Sequence, residues 1–378
     1  MSWQSLTFDA DTMLAGLRRW VECESPTFDL AAVNAMMSLV AGDLVAAGAA
    51  VTRFPGPPGL GDCILGDFPH PRQGEPGILV MSHLDTVHPV GTLKALPFRR
   101  EGSRCYGPGI LDMKGGAYAG LQAIVALAKA GIETPLPVSV LYTSDEEIGS
   151  PGTRDLIMEQ ARKHRYILVP EPAKPGNGVV TGRYAIARFN LLAEGRPSHA
   201  GSTLKDGRSA ISMMAQQLLA IEAMTDDDCT FSVGVISGGQ WVNCVATTCR
   251  AEALSMAKRQ ADLDRGVERM LALSVANPDG TRFTVTRGVT RPVWEPDAQT
   301  LRLYEIARGV AGEIGIDLSH HSAGGGSDAN FTGAAGLPSL DGLGLIGAGY
   351  HTLEEHIEVE SLAQRARLMA GLLTKLAA

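Results

Sequence analysis

The sequence predicts an α/β fold: a mixed, largely parallel sheet flanked by helices, interrupted by a smaller domain of order βαββαβ. Three observations lead there. Strand-like and helix-like segments alternate over residues 77–170, the grammar of a parallel sheet. Residues 181–291 break that grammar, which resumes after Pro292. The 378 residues exceed what one ordinary core uses, so two domains are expected: 1–180 with 292–378, and an insert of 181–291.

Each element has its own signal. Residues 13–21 and 29–47 carry helical patterns, the second with Gly48 placed to close it. Residues 77–82 are almost purely apolar, as in a strand buried on both faces. An alanine-rich helix over 113–130 ends at Gly131, and a strand follows over 137–143. Ser150-Pro151 reads as an N-cap followed by proline at the first position of a helix running to Lys163. Residues 166–170 give the next strand. In the insert, strands are expected at 184–193, 230–237, 243–256 and 281–287, with helices at 207–224 and 261–275. Helices at 301–315 and 359–376 and a strand at 337–340 complete the chain.

Composition excludes some classes. Charged residues at 20% and hydrophobic ones at 45% are ordinary for a globular protein, and a net charge of −8 without any basic block argues against nucleic acid. Residues 1–11 lack the basic and apolar regions of a secretory signal, and no stretch has the apolar length of a membrane span. A cytoplasmic protein without a membrane partner is expected. The six cysteines form no C-x-x-C pair, which suits reduced thiols. Cys244 and Cys249, five apart in an expected strand, would face opposite sides and share no metal.

Acidic and imidazole side chains recur where strands end. His83 and Asp85 follow the strand at 77–82, Asp145, Glu146 and Glu147 follow that at 137–143, and Glu171 follows that at 166–170. The carboxyl ends of parallel strands are where open α/β sheets bind ligands. Asp112 lies in a glycine-rich turn ahead of a helix, at the same rim. Such a donor set suits zinc, manganese or cobalt, and two ions about 3.5–4 Å apart could share one carboxylate such as Asp112. Of adjacent Glu146 and Glu147, one can coordinate while the other acts as a base toward water. Asp85 is placed to accept the second ring N–H of His83. His70, His88, His164, His320 and His356 have no such context and read as surface or loop histidines.

The segments His83-Leu84-Asp85-Thr86-Val87, Gly107 to Gly116, Thr143 to Ser150, Glu171-Pro172, Ser198-His199-Ala200-Gly201, Gly324 to Ala329 and Gly349-Tyr350-His351 together resemble the aminoacylase and glutamate carboxypeptidase family of dinuclear metallopeptidases. The resemblance spans nearly the whole chain and is nearest the bacterial carboxypeptidase G type, which removes C-terminal glutamate from folates. It implies a zinc-peptidase-like catalytic domain and a ferredoxin-like dimerisation or lid domain. It also implies two divalent ions per subunit. His83 and Glu171 would hold one, Glu147 and His351 the other, and Asp112 would bridge. Glu146 would be general base and then acid, and Asp85 would orient His83. His199 would reach the partner subunit's site in a homodimer and polarise the scissile carbonyl. Asn243, Gly325 and Ser327 would contact substrate, and the Asp112–Met113 peptide would be cis.

The chain departs from that type in the insert. Counting from Asn243, the Asp-x-Arg that helps bind the substrate carboxylate falls on Leu254 and Met256, so the arginine is absent, and Ala246 stands in place of a proline. Arg259 or Arg250 is the candidate substitute, and strict preference for C-terminal glutamate is not expected. The resulting expectation is hydrolysis of an amide bond in a small N-acyl amino acid or dipeptide-like substrate with a free carboxylate. The alternatives are deamination or C–N cleavage of a non-peptide at the same site, or a non-catalytic metal-binding protein. A nucleotide-binding fold lacks its glycine fingerprint after the first strand.

Overall fold

The computed structural model describes residues 2–377. It divides into two compact units, one of the chain up to Gly182, Glu295–Ala323 and the chain from Ser327 onward, the other of Arg183–Trp294 with Gly324–Gly326. In the first, β1 (Ala50–Phe54), β2 (Cys63–Asp67), β3 (Gly77–His83), β4 (Val138–Thr143) and β5 (His164–Leu168) join the short strand Ser339–Leu340 in one sheet. The order is β1-β2-β4-β3-β5 and then Ser339–Leu340; β2 is antiparallel to both neighbours and the other pairs are parallel. Both β3 and β4 are buried along their whole length, which is why they read as apolar runs without alternation.

Helices α1 (Ala10–Glu22), α2 (Leu30–Ala46), α3 (Gly115–Lys129) and α4 (Arg154–Ala161) belong to this unit. Asp29 caps α2 by accepting the Ala32 N–H at 3.0 Å, and Gly48 follows it at φ 91°. Among the described residues, no helix is long and apolar enough to cross a membrane.

Two helices begin later than the sequence predicts. Ser150 has φ 58° and turns its hydroxyl to Asp328, and α4 starts only at Arg154, whose N–H donates to the Ser150 carbonyl at 3.1 Å. The chain at Asp112 and Met113 is non-helical, with a cis peptide between them, so α3 starts at Gly115. A further antiparallel sheet pairs Arg99–Glu101, Arg104–Tyr106, His356–Glu358 and Gly347–Ala348. Strands of two or three residues are too short to show a period, and the sequence gives no hint of them.

The second unit holds β6 (Ala185–Glu194), α5 (Ala210–Glu222), β7 (Cys229–Gly238), β8 (Thr248–Ala257), α6 (Gln260–Leu271), β9 (Val275–Ala276) and β10 (Arg282–Arg291). Its sheet has the order β7-β8-β6-β10-β9, antiparallel throughout. One face carries Phe189, Leu191, Ala251 and Ala253 into a core shared with Met214 of α5 and Leu263 of α6. The strand expected from Asn243 begins at Thr248. Cys244 therefore lies in an exposed loop while Cys249 is buried in β8, and the opposite-face argument for that pair does not apply.

Candidate metal centre

The register of the central strands sets His83 beside Thr143, so the turns after β3 and β4 start level, and β5 runs along the other side of β3. Near those strand ends five side chains converge. His83 Nε2 lies 3.2 Å from Asp112 Oδ1 and 3.7 Å from Glu171 Oε1. His351 Nε2 lies 3.2 Å from Asp112 Oδ2 and 3.1 Å from Glu147 Oε2. Each oxygen of Asp112 thus faces one imidazole, and each imidazole has a second carboxylate beside it. Donor atoms of His83, Asp112 and Glu147 all fall within 4.8 Å of one another.

Local sequence explains the convergence. Gly109 takes φ 68° to start the turn that presents Asp112. A Cβ on Gly116 would sit 1.9 Å from the Pro170 carbonyl oxygen, so only glycine lets α3 approach the chain just before Glu171. His351 itself has φ 64° and sits in the turn between Gly347–Ala348 and His356–Glu358. That small sheet joins the His351 turn to the hairpin just ahead of Gly107, which brings two segments about 240 residues apart to one place.

The sequence missed Glu355. This buried carboxylate accepts backbone N–H groups from Leu111 at 2.9 Å and Asp112 at 3.0 Å on Oε1, and from Gly109 at 2.9 Å on Oε2. His88 Nε2 meets the same Oε2 at 2.8 Å. His88 is therefore no surface histidine: it is buried, and with Glu355 it clamps the turn that carries Asp112. The only sequence signal was an acidic residue four positions after His351, which means little alone.

Asp85 does more than face His83. The nearest partner of His83 Nδ1 is the backbone carbonyl of Asp85 at 3.0 Å, with the carboxylate at 3.4 Å. The carboxylate accepts the Thr27 hydroxyl at 2.7 Å and the N–H groups of Glu146 and Glu147 at 3.2 Å each. It fixes the turn that presents both glutamates.

The electrostatics call for positive charge. Burial pushes the Glu147 carboxyl up to about 8; His351 pulls it down and Asp112 adds repulsion. Glu171 is raised well above the carboxylate range, by burial first and then by Asp112. Burial would raise Asp112 too, but hydrogen bonds from His351 and His83 hold it well below its ordinary value. Asp112 and then Glu147 raise His351 to about 10. His83 is raised well above its ordinary value, because Asp112 and Asp85 outweigh its burial. Buried carboxylates that crowd two imidazoles gain most from divalent cations, and these oxygen and imidazole donors fit zinc, manganese or cobalt.

The remaining predicted site residues fall mainly in the insert. His199 is exposed, and its Nδ1 accepts N–H groups from Gly201 at 3.1 Å and Ser202 at 3.2 Å, which leaves the proton on Nε2. The Asn243 carbonyl accepts the Ala200 N–H at 3.0 Å, so His199 and Asn243 stand on adjoining segments. Gly325 has φ 83° with open space where a Cβ would be. Ser327 is buried, and its hydroxyl accepts the Ala329 N–H at 3.1 Å. Arg259 pairs with Asp262 at 2.7 Å, at the start of α6. Two arginines unremarked in the sequence back the glycine loop. Arg183 Nη1 donates to the Gly326 carbonyl at 3.3 Å, and a Cβ on Gly326 would lie 2.8 Å from the Arg291 side chain. Both are buried. Arg291 pairs with Ile186, and Ile186 with Met256, so the three form one cross-strand row.

Comparison with known proteins agrees with this architecture. A carboxypeptidase G2 of Pseudomonas sp. (strain RS-16) is 31% identical over 388 aligned positions, covering 99% of this chain and 92% of that protein. A succinyl-diaminopimelate desuccinylase of Xanthomonas campestris pv. campestris is 26% identical, covering 80% of this chain and 85% of that one. Among solved structures, a tripeptidase from Staphylococcus aureus superposes with a TM-score of 0.79 at 21% identity, covering 98% of this chain and 99% of that one. An M20 family metallo-carboxypeptidase from Sulfolobus solfataricus gives 0.75 at 15%, covering 96% and 98%. Residues 79–375 match the description Peptidase family M20/M25/M40, and the chain belongs to that family of metallohydrolases, which act on peptide or amide bonds.

Proposed function

We propose that the protein hydrolyses the amide bond of a small N-acyl amino acid or dipeptide-like substrate bearing a free carboxylate. The observation that carries this reading is the Asp112 carboxylate with one imidazole at 3.2 Å from each oxygen. His83 and Glu171 would hold one divalent ion and Glu147 and His351 the other, with Asp112 shared. Bound there, such ions supply Lewis acidity to the amide carbonyl and a nucleophilic water near neutral pH. Glu146 takes a proton from the attacking water and returns it to the leaving nitrogen. Asp85 holds Glu146 in place through its backbone N–H. His199 donates from Nε2 to the carbonyl oxygen as charge develops there.

The insert, residues 181–291, serves in this reading as the dimerisation domain. Leu219 of α5, Val235 and Ile236 of edge strand β7, and Trp241 and Val242 beyond it are all exposed large apolar side chains. An unpaired edge and an apolar patch together favour cover by a second copy. The six unpaired thiols support a cytoplasmic location.

Dialysis against a chelator should abolish turnover, and zinc, manganese or cobalt should restore it. A panel of N-acyl amino acids and dipeptides should release acid and amine in equal amounts. Full activity in metal-free protein, or release of ammonia without a carboxylic acid, would overturn the reading.

For the substrate carboxylate we propose Arg291, because it lies against the Gly324–Gly326 loop in the cross-strand row of Met256. Arg291→Gln should lower kcat/KM about 10–100-fold for free carboxylates, the scale of a lost charge-assisted hydrogen bond. The corresponding carboxamides should lose much less. Equal losses on both substrate sets would remove Arg291 from recognition.

A further inference from the structure

We propose that Asp328 is a positioning residue: through Ser150 it holds the turn that presents Glu146 and Glu147 in the form needed for turnover. This rests on the amide-hydrolase reading above. Ser150 closes that turn. Its N–H donates to the Asp145 carbonyl at 2.8 Å, and the Gly149 N–H donates to the Glu146 carbonyl at 2.7 Å. The two glutamates are therefore enclosed in a short loop between Asp145 and Ser150.

Closing the loop in this way sets Ser150 at φ 58°, in the left-handed region. A residue with a Cβ is strained there, and such strain persists only where the surroundings over-determine it. Pro151 follows and disfavours escape into the right-handed helical region. Left to itself, the chain would relax toward extended backbone and the loop would open. The Asp328 carboxylate opposes that. One oxygen accepts the Ser150 hydroxyl, and the other accepts the Thr143 hydroxyl at 3.2 Å. Thr143 ends β4, the strand that leads into the turn. Asp328 thus bridges the end of a buried strand and the strained residue that closes the loop. All three side chains are buried, so these bonds are made away from competing water.

Asp85 holds the same turn at the Glu146 and Glu147 N–H groups. It fixes the backbone of the two glutamates, and Asp328 fixes where the chain leaves them. A displacement of about 1 Å at a reacting group can cost about 100-fold in rate. Ser150 is fully buried, so its loss should appear in kcat and not in substrate binding.

Glycine separates the strain from the bond, since it takes positive φ freely and has no hydroxyl. The test compares Ser150→Ala, Ser150→Gly, Asp328→Ala and the double variant Asp328→Ala with Ser150→Gly. Each is assayed as metal-loaded protein on one N-acyl amino acid, with metal content and melting temperature measured on the same preparation. Ser150→Ala and Asp328→Ala should each lower kcat about 10–100-fold at full metal occupancy, with KM within about twofold of the wild type. Ser150→Gly should exceed Ser150→Ala by about tenfold in kcat, although both lack the hydroxyl. Adding Ser150→Gly to Asp328→Ala should raise kcat by about tenfold over Asp328→Ala alone, a gain that misfolding cannot mimic. If Asp328→Ala does not fold, the alanine and glycine variants at position 150 decide alone. Equal kcat for those two, no gain from glycine beside Asp328→Ala, losses confined to KM, or losses that follow the melting temperature would overturn the positioning role while leaving the amide-hydrolase reading in place. A wild-type protein that hydrolyses no amide at full metal occupancy would overturn that reading and the positioning role with it.

Discussion

Glu146→Gln should lower kcat by roughly 10²–10⁴, the usual scale for a lost general base, and leave metal content near normal. Glu147→Gln should instead lose metal and activity together. The two residues are neighbours in sequence, and both backbone N–H groups are held by Asp85, so the turn treats them alike. Their carboxylates differ. That of Glu147 lies 3.1 Å from His351 Nε2 and belongs to the cluster with His83 and Asp112. That of Glu146 is close enough for its charge to raise His83, Glu147 and Glu171. A negative group beside the donors suits a base. Metal analysis and steady-state kinetics on the same preparations separate the two roles. Exchange of the outcomes would mean that Glu146 is the ligand and Glu147 the base.

How much of this was legible in the sequence depended on the range of the interaction. Strands β3 and β4 show as apolar runs because both faces are buried, and His83 and Glu147 stand out because they lie at or just beyond the ends of those runs. The fold class followed from the same local patterns. The clamp on Asp112 did not. Glu355 and His88 act through contacts across about 250 residues, and the small sheet that delivers His351 has strands too short to carry a period. The late start of α4 has a similar reason, since the Ser150 hydroxyl turns to Asp328, far along the chain. Met256 stands out locally, against the family pattern, whereas only pairing through Ile186 of β6 sets Arg291 in the same row.

The last expectation concerns how many chains build one active site. The proton on His199 Nε2 faces away from the backbone contacts that hold Nδ1, and the ring is exposed within its own unit. An exposed donor held in a fixed tautomer by its own loop suits a group that serves a site outside that loop. If His199 acts in the partner subunit, Glu146→Ala and His199→Ala should each be nearly inactive as homodimers. Mixed, unfolded and reassembled, they should recover activity. In a mixed dimer one site carries both lesions and the other carries neither. Random pairing makes about half the dimers mixed, so roughly a quarter of all sites should be whole. Differently tagged chains allow the mixed dimer to be purified and its composition verified. With His199 serving its own subunit, no mixed dimer contains an intact site, and recovered activity near a quarter has no source. Purified mixed dimers as inactive as their parents would place His199 in its own chain's site or outside the chemistry, and the insert would then be a structural lid.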